Sequence, residues 1–161
     1  MHHKEITIGK IAGETGKGLL AGAAGTLAIT LSQMIEMKIT KRKPSDAPAE
    51  AAEKVLDLQP ETKEEKKKLS QEVHWAYGTL WGLSRSVMSL IGLKGIPATA
   101  IHFGTIYSAA LIVPSSLSVA PPLKEWKAKE FMIDALHHAV YAVAAGLVFD
   151  ALHNDAEEEE E

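Results

Sequence analysis

Residues 74–93 read HWAYGTLWGLSRSVMSLIGL, a histidine, a tyrosine and two glycines at HxxYGxxxGL followed by a further apolar run. A related pattern, HAVYAVAAGL, returns at residues 138–147 with His, Tyr, Gly and Leu at the same spacings. At 3.6 residues per turn, His74, Gly78 and Gly82 share one stripe of a helix, with Ser86 following. Small residues at this spacing on an apolar helix favour close helix–helix packing of the kind found inside membranes.

Working outward, three more stretches share this character. Residues 18–37 carry Gly18, Gly22, Thr26 and Thr30 four apart, widened by Ala21 and Gly25. So many glycines weaken a helix in water but let backbones approach in lipid, where a helix is also the only way to satisfy the main chain. Residues 97–119 carry Ala100, Gly104 and Ser108, with His102 and Tyr107 as interior polar candidates and Pro114 as a kink or stop. Residues 131–152 place His138, Ala142, Gly146 and Asp150 on one stripe, with His137 and Tyr141 beside it. Each stretch has the roughly 20 residues that cross about 30 Å of hydrocarbon. The expectation is an all-α polytopic membrane protein of one domain, with spans at about 18–37, 73–93, 97–119 and 131–152.

Composition conceals this pattern. The 161 residues are 46% hydrophobic and 24% charged, and the mean hydropathy is −0.02. The charges are segregated into residues 38–72, 124–130 and 155–161, whereas a soluble bundle spreads charge along every outward helix face. Pro48 opens a short amphipathic helix over residues 48–58 in the first loop, and Pro60 opens another that leads into the second span. Trp75 and Trp126 suit interfacial positions. The acidic end, residues 155–161, reads as a disordered, solvated tail.

Several classes are set aside. The chain has no cysteine, which excludes disulfides and thiol chemistry. A net charge of −4, with lysines alternating with glutamates, does not suit nucleic acid. Residues 1–4 lack the apolar run of a signal peptide. Gly13–Gly18 lacks the spacing of a phosphate loop, and there is no HExxH. No cofactor or metal is expected: His74, His102, His137 and His138 enter from different depths and read as helix–helix hydrogen-bonding groups. No catalytic residue stands out.

Basic residues set the orientation. With four spans, twelve of the 17 Lys and Arg residues fall on one side, Lys4, Lys10, Lys17 and Lys94 fall on the other, and Arg85 lies within a span. The positive-inside rule puts the twelve in the cytoplasm and both termini outside. A lipid-facing Arg85 costs at least about 2.5 kcal/mol, so it is expected inside the bundle, at a depth where Asp150 can pair with it. The candidate polar residues are therefore His74, Tyr77, Arg85, His102, Tyr107, His137, His138, Tyr141 and Asp150. The candidate packing residues are Gly18, Gly22, Gly25, Gly78, Gly82, Gly104 and Gly146.

A glycine-rich first span (residues 18–25), His74 to Gly78, and a later His138 to Tyr141 resemble the small bacterial inner-membrane proteins of the YagU type, although Ala142 stands where the first motif has Gly78. The resemblance implies a membrane location and no established chemistry. The recurring motif also suggests parallel halves, with spans one and three as counterparts. The favoured reading is a structural or accessory membrane protein in contact with lipid, able to form homo-oligomers. The alternatives are a small transporter or channel protomer using Arg85, Asp150 and the histidines, and a soluble helical protein that buries its apolar faces against a partner.

Overall fold

The computed structural model describes residues 7–158, and side chains through His153. The polar start at residues 1–4 and the last three glutamates lie outside that part. The described chain is all helical, with α1 at Ile8–Thr40, α2 at Ala47–Leu56, α3 at Lys63–Trp81, α4 at Leu83–Leu90, α5 at Gly95–Ser116 and α6 at Ala128–Glu158. A single 3-10 turn, Leu123–Glu125, precedes α6.

Local signals account for the boundaries. Thr7 caps α1 and Thr62 caps α3, each accepting a hydrogen bond from the backbone N–H three residues on. Gly92, in the turn between α4 and α5, and Gly95, the first residue of α5, take φ of 84° and 61°, left-handed values that glycine adopts without steric cost. Pro114 does not end α5, which runs on to Ser116. Helix α6 continues to Glu158, through part of the stretch expected to be an unstructured tail.

Three helices, α1, α5 and α6, are long and apolar enough to span a membrane. The stretch expected as a second span is divided between α3 and α4 at Gly82. There Gly82 N–H donates to Thr79 O (3.1 Å) and Arg85 N–H to Gly82 O (3.0 Å), a 3-10-like tightening. Because Arg85 N–H turns to Gly82, the Trp81 carbonyl loses its helical donor. Ser84 Oγ (2.7 Å) and His102 Nε2 (3.3 Å) replace it.

Helix α1 is central. It packs against α6, α3 and α4, while α5 packs chiefly against α6. The buried core joins Ala21 and Ile29 of α1, Ile106 of α5, and Tyr141, Ala142, Ala145 and Phe149 of α6. The glycines explain how close the helices come. A Cβ on Gly82 would collide with the Gly18 carbonyl and the Gly22 backbone, and one on Gly22 would collide with Thr79 O. A Cβ on Gly78 would strike Thr26, on Gly146 Thr99, and on Gly25 the Tyr141 ring at 2.8 Å. Gly104 departs from the expectation: a Cβ there meets nothing within 4 Å among the described residues, so Gly104 lies on an open face of α5.

At one end of the bundle, α2 folds onto α3. Lys66 Nζ lies 3.3 Å from Glu50 and 3.4 Å from Glu53. Partial burial pulls the Lys66 pKa down, but hydrogen bonds to Glu50 and Glu53 and their charges outweigh it and hold the amine above the ordinary lysine value. Lys54 Nζ reaches the C-terminal end of α5, donating to Leu117 O (2.6 Å) and Ser118 O (3.2 Å).

The two classes of glycine predict opposite outcomes. Gly82→Ala should destabilise the bundle by about 1–3 kcal/mol through overpacking. Gly104→Ala should be neutral or gain up to about 1 kcal/mol of helix propensity. Thermal unfolding of the two variants in mild detergent checks this; equal effects would refute the backbone contact at Gly82.

Candidate functional site: a buried polar spine

The polar side chains in the bundle line the contacts among α1, α3, α4 and α6, with α5 adding His102 and Tyr107, and fall into two groups. The first lies at the end shared by the start of α1, α4 and the end of α6. Arg85 is 1% exposed, and its Nη2 lies 2.6 Å from Asp150 Oδ1, so the pair expected from matching depth forms. The guanidinium carbon sits 5.2 Å from the centre of the Phe149 ring, a cation–π contact that covers its other face. Glu14, also buried at this end, takes an ion pair from Lys17 at 3.2 Å and a contact from His153 Nδ1 at 3.3 Å. Ser86 Oγ donates to the Glu14 carbonyl at 2.6 Å, tying α4 to α1.

The second group lies toward the opposite end. Thr30 Oγ1 donates to Thr26 O at 2.6 Å, which spends its only proton. Its contact with His74 Nε2 at 2.9 Å is therefore one in which the imidazole N–H donates. Ser32 Oγ lies 2.8 Å from His137 Nδ1, so His74 and His137 reach α1 at neighbouring levels. His138 Nδ1 donates to Asp134 O at 2.8 Å, and its ring centre lies 5.7 Å from that of Tyr107, whose hydroxyl donates to Phe131 O at 3.0 Å.

Tyr141 and His102 bridge the groups. The Tyr141 hydroxyl donates to Gly78 O at 2.6 Å, and its ring meets His102 edge-on at 5.7 Å. Since the Trp81 carbonyl can only accept, His102 Nε2 carries the hydrogen, and Nδ1 is left as a buried acceptor. Arg85 Nε and Nη1 are likewise buried without an acceptor among the described residues.

Most of the expected polar residues are therefore interior, with one correction. Tyr77 is 48% exposed and packs its ring edge-on against Trp81 at 5.8 Å on the outside of the bundle. It lies one residue before Gly78, on the flank that turns away from α1. Of the adjacent histidines, His137 is the more deeply buried and His138 lies at its edge.

Glu14 and His153 were not among the expected residues. Glu14 continues the four-residue spacing of Gly18, Gly22, Thr26 and Thr30 back by one turn, a signal available in the sequence. His153 lies one turn beyond Phe149.

Chemically, the spine orders helices. Among the described residues no three His, Asp or Glu side chains gather as a metal site. The open clefts near Leu58, Gln59 and Pro60, between α2 and α3, share no residue with the spine. No family model, curated protein or solved structure matches the chain.

The ion pair predicts a measurable coupling. Asp150→Asn leaves Arg85 buried and unpaired, a loss of about 3 kcal/mol at the low end of the buried-pair range because Asp150 is a third exposed. Combining it with Arg85→Met should recover at least about 0.5 kcal/mol relative to the sum of the single changes. A double-mutant cycle by thermal unfolding checks this; strict additivity would show that the pair carries no coupling.

Proposed function

We propose that the protein is an integral membrane protein of four spans, formed by α1, α3 with α4, α5 and α6, with a structural or accessory role in the bacterial cytoplasmic membrane. The observation that carries this reading is an inside-out distribution of polarity. At most a third of the side chains in the apolar windows of α1, α5 and α6 are buried. Leu20, Leu27, Leu31, Ile101, Leu136 and Leu147 point outward, at 50% exposure or more. Meanwhile Arg85, His102, Glu14 and His137 point inward, at 4% or less. A soluble monomer rarely exposes so large an apolar surface, and lipid is the solvent that favours this arrangement.

The fourth crossing rests on residues 73–93, whose helical part, residues 73–90, covers about 27 Å at 1.5 Å per residue, with the step at Gly82 inside it. In this reading α2, with Val55 and Leu56 exposed, lies along the membrane surface, the lysine-rich loops face the cytoplasm, and both termini lie outside. The likeness to YagU-type proteins agrees with a membrane location and adds no chemistry.

A second reading, a small transporter protomer, is favoured by the Arg85 N–H groups that find no acceptor among the described residues, beside a partly open Asp150. Flux lost with assembly intact in Arg85→Met would support it.

The absence of cysteine allows a direct topology test. Single Lys43→Cys, Lys94→Cys and Lys127→Cys variants are treated with a membrane-impermeant maleimide in intact cells and after lysis. In intact cells Lys94→Cys should label, and the other two only after lysis. Labelling of all three from one side would refute the four-span arrangement. A chain released by alkaline washing would refute membrane insertion and favour a soluble, partner-binding protein.

A further inference from the structure

We infer that the loop end of the bundle carries a collar of lysines that binds the phosphate headgroups of anionic lipids. The inference rests on the membrane reading above. Lys38, Lys41 and Lys43 lie at and beyond the last turn of α1, and Lys124, Lys127 and Lys129 lie before and at the start of α6. All six are exposed, and among the described residues none makes an ion pair.

The fold brings the two triplets to one level. Helices α1 and α6 pack antiparallel, and Ser32 meets His137 at 2.8 Å. From that contact both helices run eight or nine residues toward the same end, about 12–13 Å at 1.5 Å per residue. Gly25 against the Tyr141 ring and Glu14 against His153 continue the same antiparallel order, so the end of α1 lies beside the start of α6.

Of the nearby acidic side chains, Glu36 and Glu130 are engaged, while Asp46 and Glu125 are exposed. Glu36 is held by Arg42 at 2.8 Å and by Thr40 at 2.9 Å, and Glu130 accepts from the Lys127 backbone N–H at 2.7 Å. Residues 36–46 and 124–130 together carry seven Lys and Arg against four Asp and Glu, so the collar keeps a net charge of +3. Directly below it the surface turns apolar, with Ile35 62%, Ile39 74% and Met132 73% exposed. Cations above an acyl-facing surface match a lipid whose headgroup is a phosphate and whose tails are hydrocarbon. Trp126, whose Nε1 donates to Pro121 O at 3.0 Å, sits among the lysines at the level where an indole suits the interface. The other end offers no such band, because Lys17 is paired with Glu14.

The test uses the full chain purified in neutral detergent and titrated with phosphatidylglycerol or phosphatidylcholine in mixed micelles, with thermal unfolding as the readout. Phosphatidylglycerol should raise the Tm, and phosphatidylcholine should not at equal mole fraction. Replacing the six lysines by glutamine should weaken the apparent phosphatidylglycerol affinity at least about tenfold, since each lysine near an anionic surface contributes about 1 kcal/mol. Changing Lys10, Lys63 and Lys67 to glutamine should leave it intact. Should the six-fold variant fail to fold, half-molar salt added to the unaltered protein should abolish the phosphatidylglycerol shift. Equal shifts with both lipids, or a shift that survives both salt and the substitutions, overturn the collar. A chain that resists alkaline washing but shows no lipid preference overturns the collar alone, whereas a chain that washes off overturns the membrane reading with it.

Discussion

The contact between the backbones of α1 and the α3–α4 step governs everything else in the bundle. Gly18 and Gly22 face Gly82 with no side chain between them. Hydrocarbon gives two apolar helices little reason to associate, so in the proposed bilayer the association depends on packing at contact distance and on interhelical hydrogen bonds. Glycine supplies the first and thereby sets up the second. Once Gly18 meets Gly82, the same spacing brings Glu14 to Ser86, Thr26 to Gly78 and Thr30 to His74. One register satisfies all four contacts, and a slip of one residue would turn each of these side chains off the interface.

The step at Gly82 also determines where the buried charge sits. Tightening the chain there frees the Trp81 carbonyl, which Ser84 and His102 occupy, and starts α4 so that Arg85 faces α6. A buried ion pair adds little net stability compared with a well-packed apolar pair, because desolvation offsets most of the attraction. Its larger effect is on alternatives: any arrangement that separates Arg85 from Asp150 strands a charge among apolar side chains. The pair with its Phe149 cover therefore selects the α4–α6 alignment more than it strengthens it.

Much of this was legible in the sequence, for identifiable reasons. The ridge of Gly18, Gly22, Thr26 and Thr30 is visible because helical periodicity is local. The Arg85–Asp150 pair follows from counting residues to equal depth. Tyr77 and Gly104 were misread because spacing names a face without saying which neighbour it meets. Both sit at positions that look equivalent to buried ones, yet Tyr77 falls one residue to the wrong side of Gly78 and Gly104 lies on the outer side of α5. The step at Gly82 was hidden because its φ of −60° and ψ of −24° remain helical. Only a changed hydrogen-bond partner marks it, and that partner is chosen by the helix pressed against it.

The repeated HxxY pattern shows why likeness in sequence does not carry over to equal environments. Two parallel halves would give α1 and α5 equivalent surroundings, and would give Tyr77 and Tyr141 equivalent roles. Instead α1 sits among α3, α4 and α6, while α5 rests chiefly on α6, held by Thr99 against Gly146 and by Tyr107 at Phe131 O. Tyr141 is buried and donates to Gly78, the glycine of the first motif, so the two motifs meet each other across the bundle. Gly78 receives Tyr141 through its carbonyl, while the space left by its missing Cβ admits Thr26 of α1, so the glycine and the tyrosine of the two motifs serve different neighbours. The bundle is a central helix clasped by two asymmetric partners, with α5 as an outer layer, and what the two copies of the motif share in practice is the second glycine, Gly82 against α1 and Gly146 against Thr99 of α5.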